Sequence, residues 1–250
     1  MYAGTFPNGF FRSTNGGATW EAANTGLADN CWYRAIVVDP KHPNIIFALL
    51  GYGGVYKSVD YGVTWNASYW DMNTAGDVYS IAIDPYDSNT VYVGTQWAGI
   101  LRSVDGGGTW NSFAGGMGMV NSIAIDPRNP QTIYAGIVRG SVLKTTNRGQ
   151  TWSPVTLSYG IKAVAIDPAN SADIFAGTES GVMRSTNLGN SGTWSFTDDG
   201  LQDRGVMCLA IDSSGSHLFR GTNGSSVLRY RPSPAPSQDL TPVFMLLISD

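Results

Sequence analysis

The sequence predicts an all-β protein built from repeated units of four short antiparallel strands. Three observations predict it: an eight-residue motif that recurs five times, short apolar runs bounded by Gly, Pro, Asn or Asp, and the absence of helical periodicity. The motif, hereafter the octet, has the pattern Ser/Thr-x-Asp/Asn-x-Gly-x-Thr-Trp. Its copies occupy residues 13–20, 58–65, 103–110, 145–152 and, with two extra residues, 185–194.

The octets recur at a nearly constant interval, since their final tryptophans are 45, 45, 42 and 42 residues apart. Each unit also carries a run that ends in Asp, such as "SIAIDP" (122–127), and a run that ends in small residues, such as "IYAGI" (133–137). A third run, such as "SVLKT" (141–145), leads into the octet, and a fourth strand follows it. Four antiparallel strands at this interval are typical of a β-propeller blade. We expect six blades, with five as the alternative.

The two ends of the chain are predicted to complete one blade together. We expect residues 1–230 to form the propeller and residues 231–250 to form a Pro-rich linker and a tail. The first unit starts at its second strand, and the terminal "LLISD" resembles the inner-strand pattern "IAIDP". We therefore predict that residues 243–250 return as the innermost strand of the first blade and close the ring. A tail that stays unstructured is the alternative.

The octet is predicted to be a structural turn and not a chemical site. Asp or Asn at its third position can accept a hydrogen bond from the backbone two residues on, and Gly at the fifth supplies a positive φ. The tryptophan can bury its ring between neighbouring sheets. A catalytic or metal-binding octet would need a carboxylate in every copy, but three of the five copies carry Asn. The predicted structural residues are Asn15, Trp20, Asp60, Trp65, Asp105, Trp110, Asn147, Trp152, Asn187 and Trp194.

The aspartates that end the first runs are also predicted to form turns. They are Asp39, Asp84, Asp126, Asp167 and Asp212.

Composition argues against several classes of partner. The net charge is −4 with 15 Lys plus Arg and no basic stripe, so nucleic acid is not expected. Two cysteines and two histidines without a cluster predict neither a disulfide framework nor a metal site, and no cofactor is expected. No run approaches the ~18 apolar residues of a membrane span. The N-terminus lacks the charged start and apolar run of a signal peptide.

The octets resemble Asp-box (BNR) repeats. The longer pattern of "AIDP", "YAGT" and the octet resembles the propellers of bacterial Asp-box proteins: inverting xyloglucanases, sialidases, the sortilin ectodomain and photosystem II assembly factors. The resemblance covers nearly all of residues 1–230. It implies a propeller and a secreted or extracytoplasmic location, and it leaves the activity open because one fold hosts many functions.

Function is expected on the loops that differ between units. In an up-and-down blade the octets and the Asp turns share one face, so the second-to-third loops and the links between blades share the other. Flat aromatic rings with a few carboxylates suit sugars. We therefore expect a non-catalytic domain that binds a glycan there, although the same aromatics could instead plug the channel mouth or pack between blades. The ligand-binding candidates are Trp32, Tyr33, Arg34, Tyr52, Trp70, Trp97, Arg139, Tyr159 and Arg204.

Two other functions remain open. A glycoside hydrolase usually needs a pair of carboxyl groups, and the candidates are Asp71, Asp203 and Glu179, although nothing in their spacing selects them. The arginine triad of sialidases cannot be assigned, and the xyloglucanases use two propellers where only one fits here. A protein-interaction scaffold, as in the assembly-factor relatives, is the second alternative. The ligand and the oligomeric state are not predicted.

Overall fold

The computed structural model describes residues 1–29, 31–69, 71–197, 205–222 and 226–230. The described strands form six antiparallel sheets, four with four strands and two with three. The chain divides into two compact units, one that holds Met1–Val120 and one that begins at Asn121. Strands pair in chain order within every sheet, so each sheet is a meander of hairpins. The prediction of an all-β fold with four-stranded units is confirmed.

The first unit contains three sheets. The first sheet is formed by β1 (Tyr2–Thr5), β2 (Gly9–Arg12) and β3 (Glu21–Ala22). The second is formed by β4 (Trp32–Val38), β5 (Ile46–Gly51), β6 (Gly54–Ser58) and β7 (Asn66–Tyr69). The third is formed by β8 (Val78–Asp84), β9 (Asp87–Thr95), β10 (Ile100–Ser103) and β11 (Asn111–Ala114).

The second unit contains the other three sheets. The fourth sheet is formed by β12 (Val120–Ile125), β13 (Ile133–Ile137), β14 (Ser141–Thr145) and β15 (Ser153–Thr156). The fifth is formed by β16 (Ile161–Ile166), β17 (Ile174–Thr178), β18 (Gly181–Ser185) and β19 (Trp194–Phe196). The sixth is formed by β20 (Val206–Ile211), β21 (Leu218–Thr222) and β22 (Ser226–Tyr230).

A single-turn helix, α1 (Met72–Ala75), lies between the second and third sheets. The sequence predicted no helix, because one turn is too short to show a helical period. None of the helices in the described ranges is long and apolar enough to cross a membrane.

The core of each unit is built on the second strands of its sheets. All residues of β5, β13 and β17 are buried. These strands have a neighbouring strand on each side within their sheet. Their continuous runs of apolar and small residues fit burial on both faces.

The third octet shows how the turn is held. The Asp105 carboxylate accepts hydrogen bonds from the Thr109 backbone N–H at 2.8 Å and from the Thr109 hydroxyl at 2.7 Å. The Ser103 hydroxyl donates to Asp105 at 2.7 Å and accepts from the Gly107 N–H at 2.8 Å. These bonds, the one from the Thr109 backbone first, lower the pKa of Asp105 to about 2.

Asparagine makes the same turn in the first octet. Asn15 Oδ1 accepts from the Thr19 N–H at 2.9 Å, and the Asn15 amide donates to the Thr19 hydroxyl at 2.7 Å. Only the acceptor oxygen is therefore required at this position. The bond reaches four residues on, not two as predicted, because positions four and five both have positive φ, as at Tyr61 (62°) and Gly62 (78°).

The octets and the Asp turns lie together, as expected. Backbone N–H groups of the octets donate to carbonyls of the Asp turns, as from Tyr61 to Asn44 at 3.1 Å. The strand-ending aspartates accept from the backbone of their own turns, and Asp39 does so from the Lys41 N–H at 2.8 Å. Burial works to raise the pKa of Asp39, but hydrogen bonds from Ser88, Lys41 and His42 outweigh it and lower that pKa.

The octet tryptophans differ in burial. Trp65 is 3% exposed, its ring packs on Phe10, and its indole N–H donates to the Ala23 carbonyl at 3.1 Å. Trp110 donates to the Ser68 hydroxyl at 3.1 Å. Both rings therefore join their own sheet to the preceding one. The same prediction is wrong for Trp20, which is 42% exposed. Among the described sheets of this unit, none precedes the first sheet, so the Trp20 ring has no preceding sheet to join.

The tail predicted to close the ring, residues 243–250, lies outside the described residues, as does the whole of 231–250. Ring closure therefore stays a prediction. Cys31 and Cys208 are free and partly exposed.

Candidate functional site

Two β-bulges place side chains at the ends of inner strands, away from the octets. The pairing of β4 with β5 shifts between Tyr33 and Ala35, which leaves Arg34 as the extra residue. The pairing of β8 with β9 shifts in the same way and leaves Tyr79 extra. A bulge re-aims a side chain and sharpens the twist of its strand.

The Arg34 guanidinium lies over aromatic rings from two sheets. Its central carbon lies 5.7 Å from the centroid of the Trp32 ring and 5.1 Å from that of Tyr79. A guanidinium over an aromatic face is attracted by the ring quadrupole. The stack therefore fixes one edge of the second sheet against the third.

Asp77 holds the Arg34 guanidinium in place. Its side chain is 5% exposed and accepts from Arg34 Nη2 at 3.2 Å. It also accepts from the backbone N–H of Tyr52 at 3.1 Å and of Val78 at 2.9 Å. One carboxylate thus links the start of β4, the turn between β5 and β6 and the start of β8. The hydrogen bonds to both oxygens of its carboxylate offset the cost of burying Asp77.

The main chain of the third sheet extends the network. The Gln96 N–H donates to the Asp77 carbonyl at 2.9 Å, and the Asp77 N–H donates to Gln96 Oε1 at 3.3 Å. The Trp97 N–H donates to the Ala75 carbonyl at 3.0 Å, which ties its loop to α1. The loop that carries Trp97 is therefore anchored at two points.

Several large aromatic side chains around this network are exposed. Trp32 is 49% exposed, Tyr52 73% and Trp97 60%, and the Phe6 ring packs edge-on against Trp32 at 5.4 Å. We call Phe6, Trp32, Tyr52, Tyr79 and Trp97 the aromatic face. Grouped exposed rings of this kind mark interaction sites more often than isolated ones do.

The structure brings together four of the ligand-binding candidates: Trp32, Arg34, Tyr52 and Trp97. Trp70 and Arg204 lie outside the described residues.

Three other candidates have different surroundings. Tyr33 is 5% exposed in the core beside Phe10, and burial raises its pKa. Arg139 is exposed and Tyr159 is 37% exposed, both in the second unit, where Tyr159 packs edge-on against Phe196 at 5.1 Å.

The two candidate catalytic carboxylates that the structure describes, Asp71 and Glu179, interact with other groups and lie far apart in the sequence. Asp71 caps α1: its carboxylate accepts from the Thr74 hydroxyl and from the backbone of Thr74 and Asn73, and these bonds lower its pKa. Glu179 belongs to the second unit, with its carboxylate 4.0 Å from Lys162 Nζ. Asp203 lies outside the described residues. In the part of the chain that the structure describes, no group of three His, Cys, Asp or Glu side chains could hold a metal ion.

Sequence reasoning missed Phe6 and Tyr79 and gave Asp77 no role in the site. A signal for Tyr79 exists in the sequence: the residue five positions before the strand-ending Asp varies between units while its neighbours repeat. No comparable signal marks Phe6, whose contact with Trp32 crosses two sheets.

Comparisons with solved structures find the same fold in two groups of proteins. An ancestral GH74 enzyme is 24% identical, with a TM-score of 0.70 over 89% of this chain and 32% of its own. The GH74 xyloglucanase from Xanthomonas campestris is 16% identical, with a TM-score of 0.68 over 88% of this chain and 40% of its own. YCF48 bound to D1 peptide is 18% identical, with a TM-score of 0.69 over 92% of this chain and 74% of its own.

No protein-family model matches the chain, and no curated protein matches it. The chain spans about a third to two-fifths of the length of these GH74 enzymes and about three-quarters of YCF48. The structural neighbours are β-propellers, and their likeness extends over nearly nine-tenths of the chain or more. The chain is therefore an all-β protein with the β-propeller fold.

Proposed function

We propose that this protein is a non-catalytic ligand-binding propeller that binds carbohydrate through the aromatic face. The observation that carries the proposal is the set of exposed rings of Trp32, Tyr52 and Trp97 around the Arg34–Asp77 pair. Rings of this kind stack on the C–H faces of sugars, and a few fixed polar groups orient the hydroxyls. We also propose that the octets are Asp-box repeats.

The engagement of the carboxylates favours binding over hydrolysis. Inverting hydrolases hold two carboxyl groups ~6.5–9.5 Å apart with one free to activate water. At the aromatic face, Asp77 is committed to Arg34 and two backbone N–H groups, and Asp71 is committed to α1. Neither carboxylate is placed as a free acid or base.

Peptide binding is the second candidate. It is favoured by coverage, because the chain spans 74% of YCF48 in the structure with bound D1 peptide but only 32% of the ancestral GH74 enzyme. Exposed aromatic rings and an arginine also suit peptide side chains. A pull-down that captures one stoichiometric protein partner, lost in Trp32→Ala, would favour this second function.

A glycan array followed by calorimetry tests the first proposal. Wild-type protein is expected to bind at least one neutral oligosaccharide, and Trp97→Ala or Trp32→Ala should weaken binding about tenfold through loss of one stacked ring. Trp20→Ala is the matched control, because Trp20 is also exposed but belongs to an octet. Binding should be unchanged in this control.

Three results would count against this function. They are a folded protein that binds no sugar on the array, an equal loss of binding in the Trp20 variant, and release of reducing sugar from the bound oligosaccharide. The last result would restore the hydrolase alternative. If hydrolysis persisted in Asp71→Asn, it would also exclude Asp71 as the acid.

A further inference from the structure

Four of the inner strands share a bulge that the octet pattern does not explain. In β4, β8, β16 and β20 the register shifts at the residue five positions before the strand-ending Asp. The bulges fall at the same place although the side chains there differ in charge and size. The extra residues are Arg34, Tyr79, Lys162 and Met207.

The bulge recurs at one position while the side chain at that position varies. The backbone there therefore serves the scaffold, and the side chain is free to serve recognition. The strands around it keep their apolar pattern, so the backbone geometry does not depend on the extra residue. Bulges are frequent beside functional sites, where they re-aim one side chain. This position can therefore change without disturbing the sheet.

In the first unit the two bulge residues meet. The Arg34 guanidinium lies over the Tyr79 ring at 5.1 Å, and Asp77 holds it through Nη2 at 3.2 Å. Arg34 Nε is buried and has no hydrogen-bond partner among the described residues. The guanidinium is therefore positioned by the two rings and by one carboxylate.

We propose that Arg34 and Tyr79 are the specificity-determining residues of the aromatic face, and that Asp77 is their positioning residue. The proposal rests on the proposed carbohydrate-binding function and narrows it to neutral sugars. Asp77 neutralises the charge of Arg34, so the stacked pair offers a flat hydrogen-bonding surface without net charge. An anionic sugar would gain no net charge pairing there, because the buried Asp77 carboxylate already balances the charge of Arg34.

Calorimetry with one neutral and one anionic probe tests the specificity. The neutral probe is a xyloglucan oligosaccharide, and the anionic probe is an oligogalacturonate of similar length. Wild-type protein should prefer the neutral probe at least tenfold. Asp77→Asn leaves the Arg34 charge uncompensated, so it should raise the ratio of anionic to neutral affinity at least tenfold. A ratio that stays at the wild-type value would overturn the proposal.

The double variant Arg34→Met/Asp77→Asn separates positioning from simple stability. Replacing both partners of a buried ion pair with uncharged residues is often neutral for stability, whereas removing one is costly. The double variant should therefore melt near the wild type yet bind the neutral probe at least tenfold more weakly. Wild-type affinity in this folded variant would show that the pair is only structural. Lys162→Met, at the equivalent bulge of the fifth sheet, is the matched control, and an equal loss there would also contradict the proposal.

A nuclear magnetic resonance measurement without ligand keeps the inference distinct from the proposed function. Ring currents from Trp32 and Tyr79 should shift the Arg34 Nε–H resonance away from those of exposed arginines. The shift should shrink in Tyr79→Leu, which removes one of the two rings, and in Asp77→Asn, which releases the guanidinium from its carboxylate. A resonance that stays in place in both variants would overturn the positioning role, whereas failure of the wild type to bind any sugar would overturn the carbohydrate function itself.

Discussion

Replacing Trp65 with alanine is expected to destabilise the protein by about 3–5 kcal/mol, the usual cost of deleting a large buried aromatic side chain. Trp65 is 3% exposed, with its ring centroid 4.8 Å from that of Phe10. Alanine therefore leaves a cavity between the first and second sheets. It also leaves the Ala23 carbonyl without its donor. Trp65→Phe keeps most of the ring and removes only the donor, so its cost should fall to about 1–3 kcal/mol.

Urea unfolding followed by far-ultraviolet circular dichroism measures these free energies without relying on tryptophan fluorescence. At about 2–4 °C per kcal/mol for a chain of this size, Trp65→Ala should lower the Tm by about 6–20 °C. Trp20→Ala is the control: its side chain is 42% exposed, and the expected cost stays below about 1 kcal/mol. If the two alanine variants proved equally stable, the octet tryptophan would not join neighbouring sheets.

Three further changes test the turns and the links between sheets. Asp60→Asn should change stability at pH 7 by less than about 0.5 kcal/mol, because Asn15 makes the same turn. The pKa of Asp60 is lowered from 3.8 to about 2, chiefly by the Thr64 hydroxyl, so its stabilisation is present above about pH 3.8 and lost as pH falls through about 2. Urea melts at pH 7, 3 and 2 should show this acid-dependent loss shrink in the variant, and an unchanged loss would contradict the assignment. Gly26→Ala should cost more than about 1 kcal/mol, since Gly26 has a φ of +91° and an added Cβ would lie 2.0 Å from the Trp65 carbonyl oxygen; a wild-type Tm would refute this. Lys57→Met should cost about 1–2 kcal/mol by removing the 2.7 Å bond from Nζ to the Gly106 carbonyl, and urea unfolding that finds no loss would show that this link is not stabilising.

The strands and turns could be predicted because they depend on local sequence. Each of the first four octets closes through bonds within eight residues, as between Asp105 and Thr109, so the local sequence determines the geometry of the turn. The strand-ending aspartates likewise bond to their own turns. Burial of the octet tryptophans could be predicted less well, since Trp65 and Trp20 carry the same motif and differ only in what another sheet supplies.

The site was predictable only in its residue types. Aromatic residues in non-repeating loops indicated Trp32, Tyr52 and Trp97, but no local pattern indicates that Arg34 pairs with Asp77, 43 positions away. Bulges are set by pairing between strands, so the aim of Tyr79 could not be derived from its own strand. The role of Asp71 depends on α1, a single turn without a periodic signal.

The central claim is that the octets build the scaffold and the aromatic face binds the ligand. It can be tested directly by following the eight tryptophan indole N–H resonances during titration with the bound oligosaccharide. The resonances of Trp32 and Trp97 should shift in proportion to occupancy, while those of Trp20, Trp65, Trp110, Trp152 and Trp194 should stay in place. Shifts confined to the octet tryptophans, with Trp32 and Trp97 unmoved, would place recognition on the opposite face and contradict the account.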